Sequence, residues 1–587
     1  MFRAFIPAIE LILLVGALGL IYIAQRKPER LARKTCIFVF VERALGKFAR
    51  RKILSVFVVG VSVFVLRAAL IPLLGIPEPA AHDEFSHLLA ADTFAHGRLT
   101  NPTHPMWKHL ESFHIIFHPT YMSMYPPAQG LSLAAGEAIA GLPWLGVLLS
   151  TSLACAAVCW ALQGWVPPGW ALFGSMLLVL RLGILSYWMN SYFGGSVPAL
   201  GGALVFGALP RLRRAPHLGI AVALGVGLAI LANSRPYEGF VFGLASVAAL
   251  IWWRVIEGGT PKARSAEKHS ATKPDNSILY LGRVILPLAI IAGIASLATG
   301  YFYKRVNGSP FRLTYEVNRS QYAMAPYFFW QTPRPEPVYL HAQMRKFYEE
   351  ELRGFEENRT LSGFFTRTAD KVFTCWLFYL GPVLSIPLIS FLHCARDRRM
   401  RIPMTVGAAL LGALAVETWV LPHYFAPATG LLFLIVTQCM RHLSKWKWRG
   451  RPLGLALVRA VPAIAVATLV LRVIAIPMHA QIEPAWPRGN LDRAQITHRL
   501  EQMPGKQLVL VRYDETHSIH LEWVYNAADV DGSKVVWARD MGERDNQELL
   551  RYYPDRKVWL ALPDAHPPAL EAFPKYTSST NSPGTTD

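Results

Sequence analysis

Long apolar runs, each closed by a basic or proline-containing turn, set the pattern of this chain. A helix of about 20 apolar residues crosses a bilayer core of roughly 30 Å. By that measure the sequence predicts about twelve membrane helices, near 5–24, 53–75, 143–163, 169–187, 196–210, 217–233, 237–255, 279–302, 374–393, 403–421, 424–440 and 455–476. Basic clusters fall between alternate runs: Arg26 to Lys52, Arg211 to Arg214, Arg254 to Lys268, Arg396 to Arg401 and Arg441 to Arg451. With those clusters on the cytoplasmic side, both termini and the long segments 77–142, 303–373 and 478–587 face outward, so the charge rule and the span count agree. The scheme makes one demand. The apolar stretch Ala128–Leu142, which follows Pro126-Pro127 and contains Glu137, must lie in the outer interface without crossing.

Composition supports a membrane class. Hydrophobic residues are 52% and charged residues 17% of 587, with a mean hydropathy of +0.28; soluble domains carry about 25% charge. The excess of 59 Lys+Arg over 39 Asp+Glu would suggest nucleic acid in a soluble protein. Here it lies at span ends. Residues 29–52 read as a basic segment for anionic lipid, and Trp446 and Trp448 among Lys445, Lys447 and Arg449 read as interface anchors, so no nucleic-acid partner is expected. The first run has no A-x-A site behind it and reads as an uncleaved anchor. Six cysteines in or beside apolar runs show no disulfide or zinc spacing.

After residue 477 the pattern changes. Short apolar runs and alternating charge predict helices near 490–503 and 545–553 and strands near Gln507–Arg512, Glu522–Tyr525, Val535–Ala538 and Val558–Leu562. The fold class is therefore an all-α polytopic membrane protein with a small C-terminal extracytoplasmic α/β domain. Its expected divisions are an anchor and basic segment 1–52, a membrane domain 53–477, the α/β domain 478–565 and a disordered tail 566–587. His517, His520, Glu522, Arg539 and Asp540 form either a polar site in the tail domain or solvated loops.

Chemistry concentrates in the first outer segment. His82-Asp83-Glu84-Phe85 directly follows a span and a turn with Pro77 and Pro79, and a helical pattern runs from there to Gly97. Carboxylates at a membrane boundary are costly. The low dielectric there raises a carboxylate pKa, which suits a general base. The same acids at a helix N-terminus also favour its dipole, so both readings stand. His87, His96, His104, His109, His114 and His118 follow without an HExxH arrangement.

The pattern Asp83-Glu84-Phe85, then AADTFAHGRLTNPTHP, then YPPAQG at Tyr125–Gly130, resembles the GT-C membrane glycosyltransferases. It is most similar to the branch with protein O-mannosyltransferases, lipid A aminoarabinose transferases and related bacterial sugar transferases. The resemblance covers roughly residues 53–440; the His-rich insert between Gly97 and Tyr121 departs from the better-known members. It implies a GT-C-like fold in which Asp83 is the catalytic base and Glu84 the second acidic position. It also implies a polyprenyl-phosphate-linked sugar donor, a glycan, lipid or protein acceptor, and a bacterial inner (plasma) membrane with the site facing the periplasm or exterior. The phosphate leaving group needs cations or a metal, so a divalent cation is an open cofactor.

Outward span ends supply the candidate substrate contacts. Arg235 suits phosphate or pairs with Glu238; His423 and Tyr424 suit phosphate or sugar, or anchor the interface. Asn190, Tyr192 and Gly194-Gly195 form an outward turn that admits substrate or simply turns the chain, and Tyr125 belongs to the loop motif. Arg181 and Glu417 lie in predicted spans without an assigned role. The second outer segment carries APYFFWQ at Ala325–Gln331, either a cover for the donor or a packed loop, and N-x-S/T triplets begin at Asn307, Asn318 and Asn358. Two other classes stay open: a lipid-linked glycan transporter, weakened by the lack of an internal repeat, and a noncatalytic scaffold. Within the enzymes, a polysaccharide ligase leaning on outer-loop Arg and His is a rival.

Overall fold

The computed structural model describes residues 5–26, 28–258, 279–478 and 489–573. The basic residues Lys262, Arg264 and Lys268 and most of the expected tail 566–587 lie outside the described residues.

A helix occupies each predicted apolar run, but fewer than twelve are long and apolar enough to span. Among the described residues six meet that test: Lys52–Ala69, Pro143–Trp165, Pro236–Trp253, Leu281–Asn307, Arg398–Val416 and Leu453–Ala475. A seventh is the pair Leu361–Tyr379 and Gly381–Arg396, bent by 97°, and Phe5–Gly19, Pro168–Gly183 and Leu218–Ala232 are shorter apolar helices. Leu281–Asn307 is mostly exposed, whereas Pro143–Trp165 is mostly buried and packs on Ser196–Arg214 at the centre.

The bent pair shows how polar groups survive at this depth. At the break, Arg181 donates to the carbonyls of Phe378, at 3.0 Å, and Leu377. Arg181 also pairs with Glu10 of the first helix, and Glu10 accepts the Val383 amide at 3.3 Å. One ion pair thus satisfies both frayed ends, as an apolar medium requires. Glu417 lies just past the helix Arg401–Val416, not inside it.

The stretch after Pro126 forms the helix Pro127–Ala140. Fourteen residues span about 21 Å, short of the bilayer core. It turns at Leu142 into Pro143–Trp165, and the two helices touch so closely that a Cβ on Gly136 would lie 2.3 Å from the Gly146 nitrogen.

Two small sheets lie outside the apolar helices. The His-rich insert folds as β1 (Asn101–Pro102), β2 (Ile115–Ile116) and β3 (Thr120–Ser123), all antiparallel in the order β1-β3-β2. The C-terminal domain has β4 (Lys506–Val511), β5 (Val535–Arg539), β6 (Arg556–Leu562) and β7 (Ala569–Ala572), in the order β5-β4-β6-β7. The first three are parallel and β7 is antiparallel. The expected strand at 522–525 is instead irregular chain, with Trp523 and Val524 buried, and β7 extends the sheet past residue 565. Leu110, Ile115, Phe117 and Tyr121 of the insert share one apolar core with Leu508, Leu510, Val536 and Leu560 of the domain. The insert and the domain are therefore packed as one unit.

Candidate active site

The helix His82–Ala95 begins at the mouth of the bundle and places both acids in its first turn. They do different things. Glu84 is buried, and its Oε2 accepts the Ala80 and Ala81 amides at 3.0 Å each, capping the helix. Its Oε1 accepts the Tyr192 amide at 3.0 Å, tying that helix to the turn 189–196. Burial raises the Glu84 pKa, and the three amides oppose that rise.

Asp83 faces the other way, into a polar cluster. The Tyr125 hydroxyl donates to its Oδ1. His114 Nδ1 lies 3.0 Å and His82 Nδ1 3.2 Å from its carboxylate. Burial alone would raise this carboxyl, but the imidazoles of His114 and His82 hold it well below the usual carboxylate range. This corrects the expectation of a raised carboxylate at the interface: Asp83 is an anion across physiological pH. Burial pushes the His114 imidazole down, and the Asp83 charge opposes that shift.

The two Nδ1 atoms also lie 3.0 Å from each other. Two Nδ1 protons aimed at Asp83 would therefore crowd one another, and His82 Nε2 is buried with no partner among the described residues. Two imidazole nitrogens and a carboxylate converging in this way suit a borderline divalent ion such as Zn²⁺ or Mn²⁺. The residues present fit a metal.

One turn after Asp83, His87 stacks on Tyr125 with ring centroids 4.4 Å apart. Its Nδ1 is buried without a partner among the described residues. Burial, with the Arg235 charge adding to it, holds this imidazole down at about 3, so it is neutral. Tyr125 in turn meets the edge of Tyr315 at 5.5 Å. The helix and the loop thus form a wall of Asp83, His87, His114 and Tyr125.

Arg235 approaches from the turn between two membrane helices. Its guanidinium lies 4.2 Å over the Tyr424 ring and 3.8 Å from Glu238, too far for a tight pair. Glu238 Oε1 and Glu417 Oε2 are buried without a hydrogen-bond partner among the described residues. Burial, reinforced by Glu238, pushes the Glu417 carboxyl up. His423 is buried beside Tyr187, whose hydroxyl accepts the His423 amide at 3.1 Å and faces its Nδ1 at 2.9 Å. The Tyr187 hydroxyl thus bonds both the backbone and the ring of His423 and fixes the plane of its imidazole. Burial and then Arg235 hold His423 neutral.

Asn190 is elsewhere. It is fully buried, accepts from Arg67 Nε at 3.0 Å and donates to the carbonyls of Ile184 and Ser186 at 3.1 and 3.0 Å. The glycine pair beside it makes room for protein: a Cβ on Gly194, at φ +87, would lie 2.3 Å from Gln129, and one on Gly195 2.0 Å from Trp188. The structure therefore joins Asp83 with Tyr125, and Arg235 with Tyr424 near His423. Asn190 and Glu84 work as ties. His82, His114, His87, Tyr315 and Tyr187 were not singled out from the sequence as site residues. The histidines stood in a visibly His-rich loop, but only the closed insert shows which of them reach Asp83.

No family model and no curated protein matches the sequence. Among solved structures, the chain is similar to ArnT from Cupriavidus metallidurans bound to undecaprenyl phosphate, at 12% identity, 87% of this chain, 92% of that chain and a TM-score of 0.44. It is also similar to the oligosaccharyltransferase of Archaeoglobus fulgidus in complex with Zn and sulfate, at 10% identity, 86% of this chain, 67% of that chain and a TM-score of 0.45.

Proposed function

We propose that this protein is a membrane glycosyltransferase that moves a sugar from a polyprenyl-phosphate donor to an acceptor hydroxyl at the outer membrane face. The observation that carries the reading is Asp83: an anion held by Tyr125 and two imidazoles on one wall, with Arg235 and His423 drawn up from the membrane side.

The chemistry follows from the placement. The acceptor oxygen attacks the anomeric carbon and its proton passes to the Asp83 carboxylate. The bond from that carbon to the phosphate oxygen breaks, and its electrons leave with the lipid phosphate. Arg235 stabilises the charge that develops there, in a site where burial strengthens the attraction. His423 and His87, both neutral, offer uncharged hydrogen bonds to phosphate or sugar oxygens. Tyr125 fixes the carboxylate rotamer. Glu84 holds the helix start in place through three backbone amides. A divalent ion, when bound, would be held by His82, Asp83 and His114 and would supply Lewis-acid polarisation of a sugar or acceptor oxygen.

The test is sugar transfer by purified protein supplied with labelled polyprenyl-phosphate sugars and candidate acceptors, with and without EDTA. Asp83→Asn should lower kcat by 10²-fold or more at equal protein abundance, the range expected for loss of a general base. Glu84→Gln should lower thermal stability more than it lowers kcat. Equal transfer by wild type and Asp83→Asn would sink the mechanism. Lipid-linked glycan movement across vesicles without transfer would favour a transporter.

A further inference from the structure

The C-terminal domain packs against the candidate site through several contacts, and one of them is a buried ion pair between Arg539 and Glu522. Arg539, at the end of β5, is 2% exposed. Its Nε donates to the Glu111 carbonyl at 2.6 Å and its Nη2 to Glu522 at 2.7 Å. Glu522, also 2% exposed, accepts from the Ser112 hydroxyl at 3.1 Å and from Tyr513 at 2.6 Å. The Glu522 amide donates to the Ala80 carbonyl at 3.2 Å. The two residues therefore grip the chain on both sides of Asp83: at Ala80, three residues before it, and at Glu111-Ser112, just before His114.

The gripped segment is short and constrained. His114 has φ +59, a region that non-glycine residues rarely adopt. Between Ser112 and His114, Phe113 packs with Phe347 and Ile519, the latter from the domain. The geometry holds His114 Nδ1 at 3.0 Å from Asp83. Burying a charged pair at a domain contact is a poor route to stability alone. A planar guanidinium, however, fixes two acceptors at once in a way that a lysine cannot.

We infer that the C-terminal domain is a working part of the site: the Arg539–Glu522 pair positions the segment Glu111–His114 and so sets His114 against Asp83. The inference rests on the proposed transfer reaction for its kinetic consequence, but its structural consequence can be read without it. Arg539 and Glu522 are positioning residues and touch no substrate.

The experiment uses the full chain in detergent or nanodiscs, as wild type, Arg539→Lys, Ser112→Ala and, as a control in the same domain, Arg512→Ala. Arg512 has a half-exposed side chain and pairs with the buried carboxylate of Asp540, so its loss removes an ion pair of the domain without removing a bond to Glu111 or Ser112. Acylation of histidines by diethyl pyrocarbonate, located by peptide mass spectrometry, reads whether His82 and His114 stay enclosed. Arg539→Lys should raise labelling of both several-fold, Ser112→Ala less so, and Arg512→Ala not at all. In the transfer assay kcat should fall at least tenfold in Arg539→Lys, with KM for the lipid donor within twofold of wild type, because the phosphate side at Arg235 and His423 is untouched. Should Arg539→Lys fail to fold, the milder Ser112→Ala carries the test. Unchanged labelling and kcat in folded Arg539→Lys and Ser112→Ala overturn the inference. So does a fall in kcat that only tracks the folded fraction. If wild type transfers no sugar while labelling still responds, the reaction reading fails and the positioning stands.

Discussion

His87 is buried one turn after Asp83 with no partner for its Nδ1 among the described residues, and its imidazole is pushed down to about 3. In the unfolded chain a histidine binds its proton near 6.5. Between those two values the unfolded state holds more protons than the folded one, so stability is present above about 6.5 and is lost as pH falls. The loss has a ceiling of about 1.4 kcal/mol per pH unit from one group. Apparent Tm by thermal shift should therefore drop between pH 7.5 and 4.5 in wild type, and less in His87→Phe, which removes the titrating ring. An equal drop in both would place the acid sensitivity elsewhere. Asp83 adds nothing in this window because its pKa lies well below the usual range. Tyr125→Phe tests the other contact. Losing one hydrogen bond to a charged group, about 1.5 kcal/mol, should lower kcat roughly tenfold with the donor KM unchanged. These roles were only partly legible from the chain. Asp83 and Tyr125 stand in a readable motif. His114 stands in a loop with no periodicity, and residues some 400 positions later hold that loop closed.

Elements were legible where the medium dictates them. An apolar run in lipid has to form a helix to satisfy its backbone, so a helix was found at each predicted place. Span length was less legible, because helices packed at the centre of the bundle, such as Ser196–Arg214, need not be long and apolar throughout. The tail sheet was harder still. Trp523 and Val524 look like a strand because they are buried in succession, yet they pack against the domain without pairing in its ladder. The break near Leu380 is an element-scale device that no local pattern announces, since Glu10 and Arg181 come from distant helices. Breaking a buried pair from one side costs about 3–5 kcal/mol. Glu10→Leu should therefore lower the apparent Tm by several degrees, whereas Glu10→Gln, which keeps an acceptor for Arg181 and Val383, should lower it less. Equal Tm values for wild type and Glu10→Leu would show that the helix break holds without the pair.

At the scale of the whole molecule, the contacts sort the span ends into two sets. One set gathers around the unit of insert and C-terminal domain: Arg67 with Asn190, Glu84 with Tyr192, Tyr187 with His423, and Asn233 with Thr299 and Ala128. The other holds the basic ends: Arg211 over Trp160, Arg213 over Trp253, and Asp397 with Gln438. The alternation of basic clusters predicts such a division for a twelve-span chain, and that scheme requires the helix Pro127–Ala140, about 21 Å long, to stay uncrossed. Were that helix a span, every later loop would invert and Arg235 would sit across the membrane from Asp83. Single cysteines can decide this. The described native thiols are buried or half-buried, so new ones report cleanly once those are replaced. Cysteine at exposed Arg345 or Asp555 should react in intact cells with a membrane-impermeant maleimide, and cysteine at exposed Arg398 or Lys447 only after lysis. Labelling of Arg398→Cys in intact cells, with Arg345→Cys silent, would turn the molecule over. A sugar carried to the outer leaflet on a polyprenyl phosphate could then not reach Asp83.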